Sequence, residues 1–72
     1  MIEKWEIGNS SQLTRVAYDD DISGLTVTFV KGTMYKYFNV PYYTVDELLN
    51  AVSIGSYFNK NIARKFKFEK VG

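Results

Sequence analysis

The sequence predicts a small α+β domain, an antiparallel sheet packed by two short helices, and three observations carry that expectation. Apolar residues alternate with period two from position 25 towards 40, take helical spacing from 45 to 62, and return to period two after 64. A lysine-glycine pair splits the first period-two stretch, as a hairpin requires, and a single proline closes it. Strands, then helices, then a strand is the order of an α+β domain.

The elements follow in chain order. Leu13, Arg15 and Ala17 alternate with Thr14, Val16 and Tyr18, which reads as a strand whose facing parity alone leaves open. Asp19-Asp20-Asp21 with Ser23-Gly24 is a turn cluster, and its carboxylates lack the spacing of a calcium loop. The hairpin spans residues 25–40. A two-residue turn would force Lys31 to positive φ, whereas a three-residue loop of Val30, Lys31 and Gly32 asks that only of the glycine. The second register sets Val27 opposite Tyr35 and Leu25 opposite Tyr37. Lys36 then shares the other face with Thr26 and Thr28.

Pro41 ends the strand, and Thr44 with Glu47 reads as a capping box. Val45, Leu48, Leu49 and Val52 then supply the apolar stripe of a helix near 44–53. Gly55 is a natural stop, and Ser56 a natural cap for a second helix near 56–64. Ile54, Phe58 and Ile62 recur every fourth residue and belong in the core. On a helical wheel Tyr57, Lys60, Asn61 and Arg64 share a face. Phe66 and Phe68 then alternate with charged residues, predicting a last strand near 66–70.

With 72 residues and no linker, the chain is one domain, 1–72, whose folded surface should be roughly 4,600 Å². Cysteine and histidine are absent, which excludes disulfides, thiolate metal sites and zinc fingers; no metal or other cofactor is expected. Their absence also removes the commonest general base and thiol nucleophile, so an enzyme is disfavoured. The core must be apolar or shared with a partner subunit, and an aromatic fraction of 17% predicts a homo-oligomer, a dimer or tetramer. With no membrane span and no signal peptide in the pattern, the expected location is the cytoplasm.

Charge is divided along the chain. Residues 1–50 carry four cationic against seven acidic side chains, a net of −3, and residues 51–72 five against one, a net of +4. The basic segment suits self-association or an anion site.

The order of particular residues resembles the KTSC domain, a family named from the C-terminus of some lysyl-tRNA synthetases and also found as free-standing bacterial and phage proteins. The matching positions are Ser10-Ser11, Tyr18-Asp19, Leu25, Val27 and Phe29, then Gly32 ahead of Tyr35 and Tyr37. Val40-Pro41, Leu48-Leu49, Ser53 with Gly55, Phe58-Asn59 and Ile62 complete the series. Phe66 and Phe68 stand where the family often has Tyr. The resemblance covers almost the whole chain and implies no catalytic role. A copy of bare-domain length looks like a phage or mobile-element product, and by analogy a binding protein that sequesters a nucleotide second messenger of host defence.

Such a ligand needs phosphate donors, aromatic faces and often a two-fold interface. Ser53 and Ser56 at a helix junction can offer hydroxyls and backbone N–H groups, Tyr57 a ring, and Arg64 a fork donor. Asn59 lies close by on the second helix, and Ser10 and Ser11 precede a strand with no capping role legible in the sequence. These seven are the predicted ligand-binding residues. Two alternatives stand beside this reading. One is RNA or tRNA binding through the basic, aromatic residues 64–68. The other is a protein-protein module without a small ligand.

Overall fold

A computed structural model describes residues 1–72. Five strands form one antiparallel sheet in chain order: β1 (Ile2–Glu6), β2 (Leu13–Asp19), β3 (Gly24–Phe29), β4 (Met34–Tyr37) and β5 (Phe68–Lys70). Helices α1 (Tyr42–Leu49) and α2 (Ile54–Asn61) lie between β4 and β5 in the chain. They cover one face of the sheet, and the core forms between, a cluster of 12 buried side chains. Accessible surface is 4699 Å², matching the size-scaling expectation for a compact chain of this mass.

The hairpin has the predicted register: Val27 pairs with Tyr35, Leu25 with Tyr37 and Thr26 with Lys36. Its loop is residues 30–32, closed by the Phe29 N–H donating to the Thr33 carbonyl at 2.9 Å, with Gly32 at φ 95°. Regular pairing ends at Tyr37, short of the expected 40, because Asn39 turns the chain at φ 59°. Val40 then points into the core, where its carbonyl accepts the buried Tyr18 hydroxyl at 2.7 Å.

β2 shows why parity left its facing open. Leu13 pairs with Phe29 but Arg15 with Thr28, so Thr14 is an extra residue, a β-bulge. The bulge puts Leu13 on the same buried face as Val16 and Tyr18, three and five positions on. β1 was not foreseen. It is an edge strand of mostly exposed residues, paired to β2 and laced by an Arg15–Glu6 ion pair at 3.0 Å. That guanidinium donates to the Glu6 carboxyl and holds it below the usual carboxylate range.

The helix bounds need correction. α1 starts at Tyr42, two residues before the expected 44, with Pro41 at the N-cap and no side-chain cap bond. Thr44 therefore lies inside the first turn, buried, and forms no capping box with Glu47. The helix stops at Leu49, short of 53, where the Asn50 amide donates back to the Asp46 carbonyl at 2.8 Å. Val52 falls in the connector and is fully exposed instead of completing the stripe. α2 begins at Ile54, not 56: Ser53 is its cap, its hydroxyl accepting the Ser56 N–H at 3.3 Å, and Gly55 is helical rather than a stop. It ends at Asn61, since Ile62 leaves helical geometry, so the expected extension to 64 fails. The last strand is residues 68–70 only; Phe66 sits in the preceding bend, half-buried against the core.

Five aromatic rings form a closed circuit under α2. Phe58 meets Phe29 and Tyr37, each with centroids 5.5 Å away; Phe29 meets Tyr35 at 5.7 Å, and Phe68 meets Tyr35 at 5.6 Å and Tyr37 at 5.5 Å. Most are edge-to-face, the arrangement that ring quadrupoles favour. The circuit fixes the hairpin against α2 from the loop-side Phe29 to Tyr37 at its open end.

Candidate functional site

Two depressions share a wall at residues 11 and 12. The first, about 310 Å³, lies between residues 9–12 and residues 52–56. It brings together Ser10, Ser11, Ser53 and Ser56, four of the seven residues picked out in the sequence. The second, about 420 Å³, is lined by Ser11, Gln12 and the hairpin residues Phe29, Val30, Lys31, Thr33 and Tyr35.

The first cleft is built by local chemistry on both sides. On the loop side, the Ser10 hydroxyl accepts the N–H groups of Gln12 and Leu13 at 3.1 and 3.2 Å. Ser10 thus does cap the turn into β2, a role sequence reading missed. On the helix side, the Ile54 and Gly55 N–H groups have no intrahelical acceptor, as at any helix start. No titratable side chain lines the cleft; its polar groups are hydroxyls, amides and backbone.

Gln12 joins the two sides. Its carbonyl accepts the Val30 N–H at 2.8 Å, which ties the hairpin loop to β2. Its side-chain oxygen accepts from the Asn59 amide at 3.3 Å, which ties β2 to α2. Asn59 therefore acts on the cleft through Gln12, and Gln12 is the residue the sequence did not reveal. Nothing local marks it; only the contact across 47 positions does.

Gln12 also lies close against Gly55. A Cβ there would lie 3.2 Å from the Gln12 side-chain carbonyl. Gly55→Ala is expected to leave the melting temperature unchanged or slightly raised, because alanine favours a helix by up to about 1 kcal/mol and the exposed Gln12 can move aside. It should break the Gln12–Asn59 bond and shift the cleft wall. Calorimetric melting and the Asn59 amide resonances would check both halves.

Tyr57 and Arg64 are not brought together. Tyr57 faces α1, where its hydroxyl donates to the Glu47 carboxylate at 2.6 Å. Arg64 lies beyond the end of α2, exposed, and lines neither depression. The shared helical face failed because the helix does not reach residue 64.

Desolvation, followed by the bond to Glu47 and its charge, pushes the Tyr57 phenol up to about 12. Tyr57→Phe should cost about 0.5–1.5 kcal/mol, read from denaturant midpoints at neutral pH. A raised folded pKa stabilises fully below the unfolded value near 10, and that contribution is lost as pH rises through about 12. The gap between wild type and variant should accordingly narrow over that window.

Comparison with known proteins gives a consistent family. The KTSC domain model matches residues 9–66. A lysine–tRNA ligase of Nostoc punctiforme is 41% identical over 61 residues, 85% of this chain and 11% of the ligase. That of Trichormus variabilis is 44% identical over 54 residues, 75% of this chain and 10% of the ligase. The chain thus spans about a tenth of the length of these ligases. An uncharacterized protein of Stutzerimonas stutzeri is 41% identical over 51 residues, covering 71% of this chain and 72% of that one. Among solved structures, a KTSC domain protein from Yersinia pestis superposes with a TM-score of 0.89 at 30% identity, over 100% of both chains. In sequence and in fold alike, the chain belongs to the KTSC domain family.

Proposed function

We propose that this domain binds a small nucleotide-type signal, cyclic or linear, and sequesters it without cleaving it. The observation that carries the reading is the convergence of Ser10, Ser11, Ser53 and Ser56 on one polar cleft at the start of α2. Hydroxyls and first-turn N–H groups suit a phosphate. The absence of any carboxylate, Lys or Tyr from the lining leaves no general acid or base there, which favours holding over hydrolysis. A homo-oligomer that covered exposed Tyr43 of α1 and Val52 of the connector would double a cleft poor in charge.

Binding of tRNA is the second reading, favoured by the similarity to lysine–tRNA ligases. Calorimetry with cyclic dinucleotides, linear dinucleotides and tRNA separates the two. A dinucleotide bound with modest salt dependence and recovered intact after denaturation supports sequestration. Degraded product makes the protein an enzyme, and binding of tRNA alone with a steep salt dependence supports the second reading.

A further inference from the structure

We infer that the depression beside the hairpin loop is the subsite for a planar heteroaromatic ring, so that one chain can hold a complete nucleoside 5′-phosphate. The inference rests on the phosphate reading of the serine cleft and adds the ligand's other end.

The wall of the depression is aromatic and fixed in place. Phe29 and Tyr35 stand edge-to-face, and Phe58 and Phe68 brace them from outside the depression. Rings already held by packing lose little freedom on binding, so a stacked ligand keeps most of its contact energy. The rest of the lining is polar apart from Val30: Ser11, Gln12, Lys31 and Thr33, residues that carry donors and acceptors. Aromatic rings combined with donor- and acceptor-bearing residues in one lining fit a base, which has a flat face and a polar perimeter. An aliphatic chain would leave those polar residues unused.

Placement selects the rest of the ligand. Ser11 and Gln12 line both depressions, so the ring subsite and the serine cleft lie on either side of one residue pair. A sugar is what links ring and phosphate in a nucleoside 5′-phosphate, so two adjoining subsites suit that ligand. Lys31 is the only cationic side chain lining either depression, and it places a positive charge at the ligand's edge.

The test is a nitrogen-15 NMR titration of the 8.3 kDa chain with adenosine 5′-monophosphate and with ribose 5-phosphate. The monophosphate should shift amides of residues 53–56 and of residues 29–35, and ribose 5-phosphate only the former. Val30→Trp places a large side chain over the depression from an exposed position, so it should leave the fold intact. It should lower affinity for the nucleotide about tenfold, the scale of one base stack, without changing that for ribose 5-phosphate. Equal affinity for both probes, with shifts confined to residues 53–56, would overturn the ring subsite and leave the phosphate cleft standing. No shift at residues 53–56 with either probe would overturn both.

Discussion

Phe58→Ala is expected to bring the domain close to unfolding at physiological temperature. Phe58 is buried on α2 and touches both Phe29 and Tyr37, so it joins the helix layer to two strands. Truncating such a ring costs about 3–5 kcal/mol, combining lost transfer energy with the cavity left behind. A chain of this length has only about 4–11 kcal/mol in total. With no cysteine and so no disulfide to compensate, the melting temperature should fall on the order of 20 °C. Guanidinium titration followed by circular dichroism would measure it. A loss below about 1 kcal/mol would mean that the aromatic circuit closes without Phe58. Phe58→Leu, which keeps most of the volume, should lose much less.

Ser56→Glu is expected to separate binding from stability. Residue 56 is the third position of α2, and Ser53 caps the helix. A glutamate there completes a capping box by reaching back to the Ser53 N–H, and its charge opposes the helix dipole. Stability should rise by about 0.3–1 kcal/mol. The same carboxylate would stand in the cleft where the phosphate is proposed to lie. Repulsion between unit charges about 4 Å apart runs from about 1 kcal/mol in water to about 4 kcal/mol near a protein surface. Loss of affinity for a phosphate-bearing probe should be at least about tenfold. Ser56→Ala, which adds no charge, should bind within a few-fold of wild type. If the glutamate variant binds as tightly as wild type, the start of α2 is not the anion site.

Some of this architecture is legible in the sequence because it depends on neighbours in the chain. The hairpin register follows from one requirement, that the residue at positive φ be Gly32 and not Lys31, and it propagates to every pair from Thr28–Met34 to Leu25–Tyr37. Ile54, Phe58 and Ile62 read as buried because a four-residue repeat holds whatever the exact ends of the helix. Those ends did not read correctly, because Thr44 and Ser56 look like caps to any local rule. Packing chose Pro41 and Ser53 by burying Thr44 and Ile54 in the core.

What the sequence determined by itself is the alternation of strand and helix, the hairpin, the main core side chains and the serines available to a ligand. Only the tertiary structure decided which residues face one another. The bulge at Thr14 carries no side-chain signature, yet it turns Leu13 to the same face as Val16. β1 was hidden because an edge strand exposes most of its residues and so loses the apolar alternation that marks a strand. The serines at 10–11 and 53–56 lie more than forty positions apart in the sequence. Gln12 unites them by accepting the Val30 N–H with its backbone and the Asn59 amide with its side chain. Such pairings depend on the closure of the whole sheet, and periodicity reports only the face a residue takes, never the partner it meets there.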